Sequence, residues 1–395
     1  MKALVFERSV PKLAKARIAA MLRAGSGATH GPLSLDEAAK TPLLSGPDWH
    51  RVRPRLAGIC GSDLATIDGR SSRYFEPIVS FPFVPGHEVV GTLDDDARVV
   101  VEPVLGCATR QIAPMCRACK AGDLGRCEHI AYGALAPGLQ SGFCCDTGGG
   151  WSTRMVAHNS QIHRVPADMS DESAVMVEPS ACAIHAALSA GSLDGAVVAV
   201  IGAGTLGLLT IAALRHFNRP GQILVGAKHP EQRTFAQVFG ATTVVEPAML
   251  RRAVRSAVGC MAMGDGEIER LAGGADVVFD CVGSSDSIQN ALTMTRPGGR
   301  IVLVGMAGRT TLDLTPLWQR EVALAGAYAY GQEPMLNRRT FDVAFELAAS
   351  ADLGRLVSAT YPLDRYDDAL RHAANAGVRG AVKIAFDLRN EKDRG

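Results

Sequence analysis

The sequence predicts an α/β protein, in which a doubly wound parallel sheet is joined to a second, mostly β domain. Three observations predict it. Apolar runs recur at Val197-Val198-Ala199-Val200-Ile201, Ile223-Leu224-Val225, Val277-Val278-Phe279 and Ile301-Val302-Leu303-Val304. Such continuous runs suit strands buried on both faces. Helical stretches such as Gln232 to Phe239 lie between them, and this alternation means crossover helices on a parallel sheet. Residues 1–190, by contrast, are rich in Gly, Pro and Cys, with short runs such as Val99-Val100-Val101, the pattern of irregular β structure with long loops. Near the end, a helix is expected over Asp367–Asn375 and a strand over Val382-Lys383-Ile384-Ala385-Phe386, with a polar, frayed tail from Arg389 to Gly395. The basic stretch from Arg8 to Asp48 is longer than a minimal hairpin needs and has no explanation at this level.

The first strand of the parallel set runs into Gly202-Ala203-Gly204-Thr205-Leu206-Gly207, followed by a helical pattern with Leu206, Leu209 and Ala213 on one face. A strand, a Gly-x-Gly-x-x-Gly turn and a helix together form a dinucleotide-binding fingerprint of the Rossmann type. Gly202 permits the tight turn, Gly204 lets a pyrophosphate approach the backbone, and Gly207 allows close helix–strand packing. The helix amino terminus offers N–H groups to the anion. At the end of the second strand, where an NAD site usually places a carboxylate for the ribose hydroxyl, the chain has Ala227, then Lys228, His229 and Arg233. Loss of the carboxylate removes repulsion against a 2′-phosphate, and the cations are placed to bind it. NADP(H) is therefore expected over NAD(H).

Three further residues point to zinc. Cys60 lies in Gly58-Ile59-Cys60-Gly61-Ser62-Asp63, His87 in Pro85-Gly86-His87-Glu88, and Glu178 in Val177-Glu178-Pro179. Thiolate, imidazole and carboxylate form a mixed set that zinc accepts, and three protein ligands leave a fourth position open for chemistry. Ser62 is placed to hydrogen-bond the substrate oxygen. Asp63 is a candidate to orient His87, and Glu88 is either a weak ligand or a supporting carboxylate. Taken singly, each has a bland reading as a buried thiol, a core histidine or a surface acid. Their joint occurrence before a dinucleotide fold favours zinc catalysis.

With these motifs in place, the chain resembles the zinc-dependent medium-chain dehydrogenase/reductases, the alcohol and polyol dehydrogenases, over nearly its whole length. The resemblance implies a GroES-like catalytic domain in two segments, residues 1–188 and 332–395, around a cofactor domain at 189–331. It implies a nicotinamide near Val282-Gly283 and Val304-Gly305-Met306. Glu178-Pro179 resembles the polyol branch, and Gly226-Ala227-Lys228 is similar to the Gly-Ser-Arg of NADP-preferring relatives. Many relatives carry a proton-relaying histidine where this chain has Ala65, so the route beyond Ser62 falls to Thr66, cofactor hydroxyls or water. Cys116, Cys119 and Cys127 match the last three ligands of the family's structural-zinc lobe, here residues 104–130, while Ala113 stands where the first is expected. Cys107 completes the site if 108–115 folds back; otherwise the lobe holds free thiols or a disulfide. The expected activity is hydride transfer between NADP(H), or NAD(H), and an alcohol or carbonyl. The alternatives are a zinc-free quinone or enone reductase and a non-enzymatic redox sensor.

Bulk composition sets the remaining expectations. At 395 residues with 47% hydrophobic and 21% charged residues, the chain suits a globular protein of two domains. A net charge of +1 gives no electrostatic case for nucleic acid or acidic membranes. The uncharged stretch Ala196–Leu214 is long enough to span a bilayer, but its glycines suit the dinucleotide turn. Ten cysteines without a secretory signal fit a reducing, cytoplasmic setting. Cys182, Cys260 and Cys281 are expected as ordinary buried thiols, and Trp151, Phe143 and Trp318 as packed aromatics. A homodimer or homotetramer follows from the resemblance alone.

Overall fold

Two compact units divide the chain in a computed structural model that describes residues 1–264 and 269–391. One contains Met1–Glu178, Tyr330–Gln332 and Phe341–Gly395; the other contains Pro179–Ala329 and Glu333–Thr340.

In the second unit the strands Val197–Ile201, Gln222–Gly226, Thr243–Val245, Ala275–Asp280, Thr295–Leu303 and Ala323–Gly326 form one sheet. Numbered one to six along the chain, they lie in the order 3-2-1-4-5-6, with every neighbouring pair parallel. This is the doubly wound dinucleotide-binding order, whose direction reverses between the first and fourth strands. Ala199, Leu224, Val278 and Ile301 pack into one core beneath the helix Ser285–Met294. The apolar run at 196–214 resolves into the strand Val197–Ile201 and the helix Thr205–Phe217. Among the described residues no helix is long and apolar enough to cross a membrane.

The first unit is organised by the long strand Trp49–Gly58, which pairs antiparallel with Val89–Thr92, Met155–His158 and Lys383–Asp387. Register shifts between Pro54 and Leu56, at the proline that cannot donate to the ladder. The expected helix and strand near the end appear as Tyr366–Ala374 and Lys383–Asp387. Beyond them, Arg389 is held by Asp387 and Glu172, and Glu391 bridges Lys2 at 2.9 Å, so the expected fraying does not begin at 389. Residues 392–395 lie outside the described residues.

The basic stretch from Arg8 to Asp48 folds into the helices Val10–Leu22 and Gly27–His30 and the strand Leu33–Asp36, which pairs with Ala3–Phe6. The first helix starts at a Ser9 cap followed by Val10-Pro11, as proline in a first turn favours. It buries Ala16 and leaves Val10, Ile18, Met21 and Leu22 exposed.

Candidate zinc and dinucleotide sites

Strand Trp49–Gly58 delivers Cys60 as the amino-terminal cap of the helix Gly61–Ile67. Its backbone N–H donates to Asp63 Oδ2 at 3.0 Å, which reciprocates the cap. Cys60, His87 and Glu88 bring ligand atoms within 4.8 Å of one another. Asp63 Oδ1 lies 3.3 Å from His87 Nδ1, without the alignment of a full hydrogen bond. That contact orients the ring and leaves Nε2 for a metal. Burial pushes the His87 ring downward, but Asp63 and Cys60 more than offset it and hold its pKa well above the ordinary value.

Glu88 is buried and ion-paired with Lys383, which also donates to Ile59 O at 3.2 Å. Burial alone lowers a lysine pKa; the charges of Glu88, Cys60 and Glu178 outweigh it and raise that of Lys383. The strand register Ala385↔Gly58 places Lys383 there. Only glycine suits position 58, because an added Cβ would lie 1.9 Å from Glu88 Oε2. Glu178 is buried at the start of the helix Val177–Ser189, near enough to act on Lys383, but it is not a member of the three-residue cluster. Phe143 packs beside the site, with its ring 6.0 Å from His87, whereas Trp151 is fully buried against Phe386. Trp318 is 78% exposed and does not pack as expected. At the empty place of the histidine relay, Ala65 is buried, and Thr66 Oγ1 donates to Ser62 O and pairs with Ser71 Oγ, both at 2.9 Å.

The second cysteine cluster closes as four buried thiols, Cys107, Cys116, Cys119 and Cys127. Residues 108–115 fold back to bring Cys107 in, with Ile112 N bonding to Cys107 O at 3.0 Å. Cys107 and Cys127 Sγ are 3.8 Å apart. Zinc–sulfur bonds of about 2.3 Å in a tetrahedron give a sulfur–sulfur edge of about 3.8 Å, so the cluster fits zinc. Backbone N–H groups of Cys107, Cys116, Cys119 and His129 each donate to a cluster sulfur at 3.4 Å. Burial pushes the Cys116 thiol up, yet amide donors from Glu128 and Cys119 bring it down to about 6. Burial and neighbouring thiols push Cys127 up to about 11 and raise Cys119 further. Four ionised thiols at such spacing need a shared cation. Cys182, Cys260 and Cys281 are half-buried by surface exposure and belong to neither cluster.

Arg110 was not singled out by sequence, yet its fully buried guanidinium donates to five carbonyls of this lobe: Leu105, Tyr132, Leu135, Ala136 and Gly138.

In the second unit, Gly202 has φ +89°, and Gly207 passes so close that a Cβ there would lie 2.0 Å from Gly202 O. Gly204 caps the helix Thr205–Phe217, and a Cβ on it would meet nothing within 4 Å. Backbone approach from outside is therefore open at the position where a pyrophosphate needs it. Leu206 is half-buried in the first turn of that helix. Ala227 is fully buried and Lys228 exposed at the end of the second strand. Arg233 is engaged differently from the expectation. It donates to the carbonyls of Ala227 and Lys228 at 3.1 and 3.0 Å and pairs with Glu246, so it braces the turn. The loops at Val282 and at Val304–Met306 adjoin, since a Cβ on Gly305 would lie 2.5 Å from Val282 C. Val282 and Met306 are 49% and 42% exposed. Buried Asp280 organises both loops. Its carboxylate accepts from Val282 and Gly283 N–H, and its carbonyl accepts from Val304 and Gly305 N–H. An acid ending the apolar run Val277-Val278-Phe279 was the signal for it.

Comparison with known proteins agrees with this geometry. Residues 46–167 match the alcohol dehydrogenase GroES-like domain, and residues 205–350 match the zinc-binding dehydrogenase model. The chain is 28% identical to L-idonate 5-dehydrogenase of Vitis vinifera over 87% of this chain and 89% of that protein. It is 30% identical to the probable D-xylulose reductase A of Neosartorya fischeri, over 73% and 77% respectively. The crystal structure of L-idonate 5-dehydrogenase from Escherichia coli aligns with a TM-score of 0.65 at 25% identity, covering 86% of this chain and 91% of that one. The chain therefore belongs to the zinc-binding alcohol and polyol dehydrogenase family. It is a zinc- and NAD(P)-dependent oxidoreductase, which displaces the zinc-free reductase and sensor readings.

Proposed function

We propose that the protein is an NADP(H)-preferring polyol dehydrogenase, with zinc held by Cys60 and His87 and a carboxylate from Glu88 or Glu178. The observation that carries the reading is the buried sulfur, nitrogen and oxygen cluster of Cys60, His87 and Glu88. The curated relatives that act on idonate, sorbitol or xylulose support the polyol class. Bound zinc supplies Lewis acidity toward the substrate oxygen, and the nicotinamide exchanges the hydride. Around that chemistry, Asp63 orients His87, Lys383 holds Glu88, Ser62 hydrogen-bonds the substrate oxygen, and Phe143 walls the site. The Thr66–Ser71 hydroxyl pair is the candidate continuation of the proton route in place of a histidine. The first unit serves as the catalytic domain and the second as the cofactor domain, with Gly202, Gly204, Thr205, Leu206 and Gly207 receiving the pyrophosphate and Val282, Val304 and Met306 the nicotinamide. Cys107, Cys116, Cys119 and Cys127 hold the structural zinc. A cytoplasmic homodimer or homotetramer is the expected form.

The test is a polyol and ketose panel with both cofactors, together with zinc quantification. Turnover on idonate, sorbitol or xylulose with a specificity constant favouring NADPH in reduction is the expected result; strict preference for NADH rejects the cofactor assignment. Ala227→Asp should lower the NADPH/NADH ratio of specificity constants by about tenfold or more, because the new carboxylate accepts from a ribose hydroxyl and repels a phosphate. Lys383→Met should lower kcat by at least about tenfold, because it leaves Glu88 as a buried charge without its cation. Steady-state kinetics with parallel zinc analysis checks that result.

A further inference from the structure

His129 touches the four-cysteine cluster twice without belonging to it. Its backbone N–H donates to Cys127 Sγ at 3.4 Å, and its ring Nδ1 lies 3.4 Å from Cys107 Sγ. Those two sulfurs are 3.8 Å apart and come from opposite ends of the lobe, 20 residues apart in sequence. Cys107 is fully buried, while His129 is half-buried. The ring is not among the donors within 4.8 Å of one another, so it is not a fifth ligand. A ligating thiolate only accepts hydrogen bonds, so this contact requires a proton on Nδ1.

We propose that His129 is a positioning residue for the structural zinc. Its Nδ1–H donates to the Cys107 thiolate, holds that sulfur in its ligating rotamer, and slows loss of the ion. Cys107 closes the tetrahedron only because residues 108–115 fold back, so it has the longest chain path to its place. With Cys116 N–H on one side and the imidazole on the other, Cys107 Sγ has two donors. The inference rests on the reading of this cluster as a zinc site.

The experiment follows release of zinc to a chelating dye from the full-length protein. A Cys60→Ser background leaves only the lobe's zinc, and a zinc count of one per chain in that background verifies the premise. His129→Leu should release zinc about tenfold faster or more, the scale seen when a hydrogen-bond partner of a metal ligand is lost. His129→Asn, whose amide nitrogen sits near the place of Nδ1, should restore slow release. A Leu variant that keeps the parent rate overturns the proposal. So does an Asn variant that releases as fast as Leu, since packing and not the N–H would then be responsible. A Cys60→Ser parent with no zinc at all rejects the underlying zinc reading, and is thereby distinguished from a failure of His129's role.

Discussion

Cys60→Ser is expected to abolish turnover on every alcohol and carbonyl substrate while leaving NADP(H) binding nearly intact. The expected loss in kcat/KM is about 10³-fold or more, the several kcal/mol that a Lewis acid contributes at a reacting oxygen. The separation of the two effects follows from the fold. Cys60 caps a helix in the first unit, whereas the glycine turn 202–207 ends a strand in the second. Fluorescence titration of the reduced cofactor and zinc quantification measure the two sides. The variant should lose one zinc and retain the other, because the four thiols of the lobe form a separate buried cluster. Full activity in Cys60→Ser rejects zinc catalysis at this site. Loss of both activity and cofactor binding points to a folding defect and requires His87→Ala as a second probe.

Much of this architecture is readable in the residues because it is local. The strand–turn–helix at Val197–Phe217 carries its function in contiguous residues, and the glycine spacing alone distinguishes the open approach at Gly204 from the packed contact at Gly207. Cys107 was reachable as well, since closing four thiols needed only a short loop to reverse. The rest depends on pairings between distant strands. Lys383 sits in a strand that was expected from its apolar run, yet only the register of that strand against Gly58 brings its ammonium to Glu88. The choice between Glu88 and Glu178 as the carboxylate beside Cys60 and His87 is likewise spatial; both are acids beside glycine- or proline-containing segments. Arg233 shows the converse limit. A cation at the end of the second strand suggests phosphate binding, whereas in the fold its Nε and Nη2 bond the carbonyls of Ala227 and Lys228 and pair with Glu246, contacts between segments that the sequence does not reveal.

Arg110→Met should destabilise the cysteine lobe more than any other single change outside the cysteines themselves. The guanidinium is fully buried, and burial lowers its pKa, while the nearby thiols of Cys144, Cys127 and Cys107 and the carboxylate of Asp146 act in the opposite direction. It therefore stands as a buried cation beside a zinc–thiolate group that carries two net negative charges when four cysteines ligate one divalent ion. Its hydrogen bonds run from 2.6 Å at Gly138 to 3.2 Å at Leu105 and Ala136, and tie 105 to the returning segment 132–138. Methionine fills the volume but leaves those carbonyls without donors, at a cost of about 1–3 kcal/mol for each that stays buried. Water will reach some of them, so a total of about 4 kcal/mol is expected, large against ordinary domain stability. Arg110→Lys keeps the charge but offers one point donor in place of a planar fork, and should recover only part of the loss. Thermal melting monitored together with zinc release separates the outcomes. If Arg110→Met melts at the parent temperature and holds its lobe zinc, the guanidinium is not what fastens this segment.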